Sequence, residues 1–230
     1  MSATLAFATP DGGTLHVRIE TAIVAGWTAR DRAAVDHHIA ELAAIGVPPP
    51  STVPLYYRVA ASLLTQEETI EVVGEGTSGE VEPVVICDAT GALWLAVGSD
   101  HTDRALEATS VALSKQICAK PVGREAWPLE PLLPRLDQLT LASSVREIDG
   151  GAFVPYQAGP LAAIRPLPAL IAACPVAVGG SLPANTAMLC GTLPVLSGGV
   201  RAAREMRIEI ADGGRRLAHG YETRVLPAVA

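Results

Sequence analysis

Between Arg165 and Arg201 the chain runs for 35 residues without one charged side chain. A stretch of that kind either crosses a membrane or is folded into a protein interior. Pro166, Pro168, Pro175, Pro183 and Pro194, together with Gly179, Gly180, Gly191, Gly198 and Gly199, interrupt it, so no run of about 20 apolar residues is left to span a bilayer. It reads as buried core around which the remainder must be built. With 49% hydrophobic and 18% charged residues, the chain is also far from the composition of disordered segments. Its 230 residues suffice for one or two domains. The N-terminal segment has neither a basic n-region nor an apolar h-region, so the expected location is the cytoplasm.

Charge narrows the partners. Seventeen basic residues face 24 acidic ones, a net −7, and no run of Lys or Arg offers a footprint for a phosphate backbone or an anionic membrane. Two Phe, four Tyr and three Trp are too few for a base-stacking platform. Nucleic acid and membrane are therefore not expected partners. Cys87, Cys118, Cys174 and Cys190 are scattered without zinc-ligand spacing and read as buried free thiols.

The local pattern predicts many short strands and few helices. Thr4 to Ala8 and Thr14 to Glu20 flank the turn Pro10-Asp11-Gly12-Gly13, and Ala22 to Gly26 continues as a strand. Thr28 to Ile45 has helical periodicity that ends at Gly46 and Pro48-Pro49-Pro50. Val53 to Val59 and Thr69 to Val73 are further strands. Glu80 to Cys87 and Leu93 to Val97 form a hairpin over Asp88-Ala89-Thr90-Gly91, and Thr102 to Ala112 a helix capped by Ser99, Asp100 or Thr102. Gln138 to Glu147, Glu205 to Ile210 and Arg215 to Val225 complete the strands. The order argues for an α+β, mostly β fold rather than a doubly wound sheet. The Pro-rich segment Val47 to Pro54 is a candidate hinge, dividing residues 1–50 from 51–230.

Gly74-Glu75-Gly76-Thr77-Ser78-Gly79 fits G-x-G-x-x-G, but a strand follows instead of a helix N-terminus, so it is read as a turn. Glu80 and Glu82, two apart on a strand, project from one face. Asp100 follows the next strand at a corner. Three converging carboxylates repel unless a hard divalent cation such as Mg²⁺ or Mn²⁺ joins them; the bland reading of Asp100 is a helix N-cap. Lys115, in a chain where lysine is scarce, is a candidate to hold a substrate oxyanion as a point charge near a metal, an ordinary surface lysine being the default reading.

In their order, Gly79-Glu80-Val81-Glu82-Pro83-Val84-Val85, Val97-Gly98-Ser99-Asp100-His101-Thr102-Asp103-Arg104, Leu113-Ser114-Lys115-Gln116 and Leu189-Cys190-Gly191-Thr192-Leu193-Pro194 resemble the fumarylacetoacetate hydrolase (FAH) superfamily, and within it the DUF2848 family. The resemblance implies a mixed β-sheet roll with few short helices. It also implies Glu80, Glu82 and Asp100 as metal ligands, Lys115 as the catalytic-site lysine and Thr192 as a contact to the substrate carboxylate. The family's His-x-x-Glu pair on an N-terminal lid helix is matched by His38-Ile39-Ala40-Glu41, with Glu41 orienting His38 as base and His37 a competing candidate. Residues 1–50 then carry the lid and 51–230 the catalytic domain.

The chain departs from the family at Gly26-Trp27-Thr28-Ala29-Arg30 and at Arg58, which stands for a lysine; Arg58 remains a substrate-carboxylate candidate. His101 is a second atypical residue, a candidate substrate contact, extra metal ligand or second base. The function so implied is metal-dependent hydrolysis of a C–C bond in a small 2-oxo or 1,3-dicarbonyl acid by a homodimer. A 2-oxo acid decarboxylase or hydratase on the same site is the near alternative, and a non-catalytic small-molecule-binding protein the distant one.

Overall fold

A computed structural model describes residues 2–44, 49–147 and 151–229. In chain order the elements are β1 (Ala3–Ala8), β2 (Thr14–Ile19), β3 (Thr21–Gly26), α1 (Arg32–Ala44), β4 (Leu55–Val59), β5 (Leu64–Thr65), β6 (Thr69–Val73), β7 (Thr77–Ser78), β8 (Val81–Cys87), β9 (Leu93–Ser99), β10 (Thr102–Asp103), α2 (Arg104–Glu107), α3 (Val111–Gln116), β11 (Lys120–Pro121), β12 (Trp127–Pro128), β13 (Thr140–Arg146), β14 (Val154–Pro160), α4 (Leu167–Ala173), β15 (Thr186–Leu189), β16 (Glu205–Asp212) and β17 (Arg215–Leu226). The mostly β class expected from sequence is what forms.

Two sheets carry the molecule. One has six strands in the order β12-β9-β8-β15-β3-β4, the other five in the order β14-β13-β16-β17-β6. Alternation along the strands builds a core between them. Val81, Val85 and Cys87 of β8 meet Met206, Ile208 and Ile210 of β16 and Leu141 and Val145 of β13. The opposite parity of β8, Val84 and Ile86, packs with Leu5, Phe7, Val17 and Ile19 of the β1–β2 hairpin. Every residue of β8 is buried, as a strand covered on both faces requires.

The charge-free stretch lies where burial demands it. It supplies α4 and β15, a fully buried strand parallel to β3 and antiparallel to β8. Since β3 lies between β15 and β4, residues on both sides of the expected division at residue 50 share one sheet. No helix among the described residues is long and apolar enough to cross a membrane.

The expected helix from Thr102 to Ala112 forms differently. Thr102–Asp103 is a strand paired with β7; Asp103, not Ser99, Asp100 or Thr102, caps α2 by accepting from the Leu106 N–H at 2.9 Å. Ser110 then caps a separate helix, α3, so Lys115 lies within α3 rather than beyond a helix. Asp100 is thereby freed from capping.

Candidate metal centre

The β8–β9 register places the acids. Val81 pairs with Ser99 and Glu82 with Gly98, and the Asp100 N–H donates to the Glu80 carbonyl at 3.1 Å, which brings Asp100 opposite Glu80. Glu80 and Glu82 share a strand face, and one oxygen from each of Glu80, Glu82 and Asp100 lies within 4.8 Å of the others. Gly98 leaves the position across from Glu82 without a side chain; a Cβ there would stand 2.6 Å from Val84 Cγ2. Gly191, at φ +99°, turns its N–H onto Glu82 Oε2 at 2.7 Å, and a Cβ at 191 would meet Thr28 Oγ1 at 1.6 Å.

Like charges directly opposed across a sheet repel, and here cations are built in around them. Lys115 Nζ donates to Asp100 Oδ2, and Lys120 Nζ lies 3.2 Å from Asp100 Oδ1 while donating to the His101 carbonyl at 2.5 Å. Arg104 lies 3.6 Å from Glu80 and is bonded to Glu107 at 2.9 Å and to Ser78 Oγ at 2.7 Å.

The titration of these groups follows from their surroundings. Burial pushes the Glu82 carboxyl well above its ordinary value; Asp100 adds to this, against Lys115. Burial also works against ionised Asp100, yet Lys115 and Lys120 prevail and hold it at about 2. Lys115 keeps its proton more tightly than an ordinary lysine, because Asp100 and Glu80 outweigh the burial that opposes its charge.

These residues fit a hard divalent cation. The donor set is all oxygen, as Mg²⁺ and Mn²⁺ prefer. Buried Asp100 Oδ1 has no hydrogen-bond partner among the described residues, the Lys120 ammonium near it lying outside hydrogen-bonding geometry. Glu82 accepts the Gly191 N–H and feels Lys115, but burial, Asp100 and Glu80 outweigh both. A cation held by Glu80, Glu82 and Asp100 removes each of these conflicts.

Other residues expected at the site are held elsewhere. His101 is buried with Nδ1 at 3.0 Å from the Tyr221 hydroxyl and Nε2 at 2.9 Å from Thr77 Oγ1, so neither nitrogen is left for a metal or a substrate. Burial, reinforced by Lys120 and Arg104, lowers its pKa to about 3 and keeps it neutral. The Thr192 hydroxyl donates to the Val81 carbonyl at 2.7 Å and accepts from Gln157 Nε2 at 2.8 Å, which ties it to the sheet instead of offering its proton to a carboxylate. Arg58 is exposed, and strand alternation sets it on the opposite face of β4 from Tyr57, whose ring centroid lies 5.7 Å from Lys115 Nζ. His37, His38 and Glu41 fall on α1, but their side chains lie outside the described residues.

Three residues escaped the sequence reading. Lys120 belongs to none of the motifs read from the sequence. Tyr57 lies one position from Arg58, and only the pairing of Val24 with Tyr57 and Ile23 with Arg58 decides which faces the cluster. Gln157 accepts from the Val81 N–H at 3.0 Å and donates to the Leu193 carbonyl at 2.6 Å, joining β8 to the turn after β15; nothing local marks it.

The sheets, short helices and acidic corner together define an FAH-like fold. The chain belongs to the family described as "Protein of unknown function (DUF2848)", which matches residues 25–221. No curated protein matches it in sequence. Among solved structures it is similar to a 2-keto-3-deoxy-D-arabinonate dehydratase complexed with magnesium and 2,5-dioxopentanoate, at 15% identity and a TM-score of 0.62 over 90% of this chain and 74% of the other. The apo form of that dehydratase aligns at 14% identity and a TM-score of 0.59, over 90% and 74% of the two chains. Cg1458 bound to an inhibitor aligns at 14% identity and a TM-score of 0.59, over 99% and 90%. At these identities the likeness establishes the fold.

Proposed function

We propose that this chain is a Mg²⁺- or Mn²⁺-dependent enzyme of the FAH superfamily that transforms a small 2-oxo acid by way of its enolate, as a lyase. The observation that carries this reading is the convergence of Glu80, Glu82 and Asp100 on one face beside a lysine kept protonated. A cation held there supplies Lewis acidity toward the oxygens of a 2-oxo acid. Lys115 places a positive charge where enolate charge grows, in a site whose burial strengthens that interaction. Tyr57 walls the same side. Thr77, Tyr221 and the β10 corner fix Asp100 by holding His101 in place.

Lyase chemistry takes precedence over the C–C hydrolysis expected from sequence. His101 has both nitrogens engaged, so proton transfer in either reaction falls to other groups. The magnesium-bound dehydratase of similar fold supports the lyase reading. Hydrolysis is the second reading, supported by the helical backbone of Arg32–Ala44, which sets His38 and Glu41 one turn apart. A small carboxylate is the substrate class in either case, and a homodimer the proposed assembly. A non-catalytic role would need no protonated lysine beside an acidic triad.

The test is a screen of acylpyruvates, oxaloacetate and 3-deoxy-2-oxo acids after chelation and after Mg²⁺ or Mn²⁺ is restored. Metal-dependent dehydration or decarboxylation is expected, with His38→Ala retaining part of it. If the wild type cleaves only acylpyruvates and His38→Ala is dead, hydrolysis replaces the lyase reading. If no metal-dependent turnover of any 2-oxo acid occurs, the enzyme reading falls.

A further inference from the structure

Lys115 and Lys120 are the only lysines in the 230-residue sequence; the other fifteen basic side chains are arginines. Both ammonium groups converge on one carboxylate, Asp100. Wherever else this chain uses a cation it uses the planar, five-donor guanidinium, and only here does it use the compact point charge of lysine.

The two lysines are not equivalent. Lys115 retains 5% exposure and lies beside Tyr57. Lys120 has none. It sits in β11, whose parallel pairing with Leu64–Thr65 fixes its backbone, and it donates to the His101 carbonyl while lying against Asp100 Oδ1. Its ammonium contacts are to the carboxylate and the backbone corner next to it.

We propose that Lys120 is a positioning residue of the metal centre: by gripping the His101 carbonyl and lying against Asp100 Oδ1, it aims Asp100 at Glu80 and Glu82 and leaves Lys115 to face the substrate. The inference rests on the metal reading above and adds a role that the acidic triad alone does not supply. Residues that orient a metal ligand typically contribute about 10–100-fold to metal affinity.

Two effects of removing Lys120 have opposite signs, which makes the role measurable. Loss of a nearby positive charge relieves repulsion and tightens cation binding. Loss of positioning loosens it. Mn²⁺ titration of the full chain, followed by electron paramagnetic resonance, decides between them. Lys120→Met and Lys120→Gln are expected to weaken Mn²⁺ binding by about 10–100-fold and alter the bound spectrum, whereas Lys115→Met binds Mn²⁺ as tightly as the wild type or more so. Unchanged or tighter binding in folded Lys120 variants overturns the proposal. If those variants do not fold, the wild type answers the question, because ¹⁵N-lysine labelling yields only two side-chain signals. On Mg²⁺ addition the Lys120 signal is expected to shift and remain in slow exchange with water; an unmoved signal, or one that loses protection, overturns the proposal. A wild type that binds no Mn²⁺ sinks the metal reading itself, a different failure from the one that concerns Lys120.

Discussion

The β8–β9 hairpin carries a buried acid at each end, and the two are handled in opposite ways. At the closed end Asp88 takes up four neutral donors: the Thr90 N–H at 2.8 Å, the Thr90 hydroxyl at 2.6 Å, the Ala92 N–H at 3.1 Å and Trp94 Nε1 at 2.9 Å. Burial raises its pKa, but these bonds more than offset that and bring it below the ordinary value. Its lone pairs are satisfied within the hairpin and its charge has no further work. At the open end Asp100 bonds to no neutral donor among the described side chains, faces two lysines and a pair of glutamates, and keeps one oxygen without a hydrogen bond. A structural acid is closed by its neighbours, whereas this cluster is complete only with something added.

Substitutions at the two ends sharpen that contrast. Asp100→Asn or Glu82→Gln is expected to abolish Mn²⁺ binding in calorimetric titration and to reduce kcat/KM by more than about 100-fold, beyond the loss that outer-shell partners produce. Next in size, Lys115→Met should lower kcat by about 100–1,000-fold, as loss of an oxyanion-stabilising group does, while metal binding survives. At the closed end Asp88→Asn should leave both within about twofold. Its cost is stability, about 1–3 kcal/mol by urea unfolding, because the amide turns a donor toward Trp94 Nε1 or Thr90. Loss of metal binding in Asp88→Asn would erase the distinction between the ends.

What the sequence revealed follows the range of the interactions involved. The β8–β9 hairpin and the shared face of Glu80 and Glu82 follow from period-two alternation and a local turn, so they were legible. The interior of the charge-free stretch was predictable, but β15 within it was not, since a strand buried on both faces shows no alternation. Arg58 and Tyr57 could not be told apart because the facing of β4 is set by its register on β3. Thr192 and His101 have the side chains that a binding site calls for, yet Gln157, Tyr221 and Thr77 from distant strands engage them. Lys120 depends in the same way on a parallel bridge to Leu64–Thr65.

The smallest expected effect separates the two ends by pH. Asp88 and Asp100 both have lowered folded pKa values, so each stabilises the fold above its unfolded value of 3.8 and loses that contribution only as pH falls below it, for Asp100 toward about 2. Neither alters stability between pH 5 and 8. Glu82 has the opposite sign: burial, then Asp100, raises it above 4.5, so the folded chain holds a proton that the unfolded chain has released. Glu82 should therefore make the chelated protein lose stability as pH rises from 5 toward 8, by at most about 1.4 kcal/mol per unit, while His101 and His219, whose pKa values are lowered from 6.5, contribute the opposite sign at the acid end of that range. Asp88→Asn should keep the wild-type profile, and Glu82→Gln should lose its falling component. Mg²⁺ should oppose it, because only the ionised carboxylate binds the cation and its stabilisation grows with pH. Urea unfolding at pH 5, 6, 7 and 8, with chelator and with Mg²⁺, measures each slope. Identical pH profiles for chelated wild type and Glu82→Gln would show that Glu82 ionises freely without a cation, and the open end would then be as self-sufficient as the closed one.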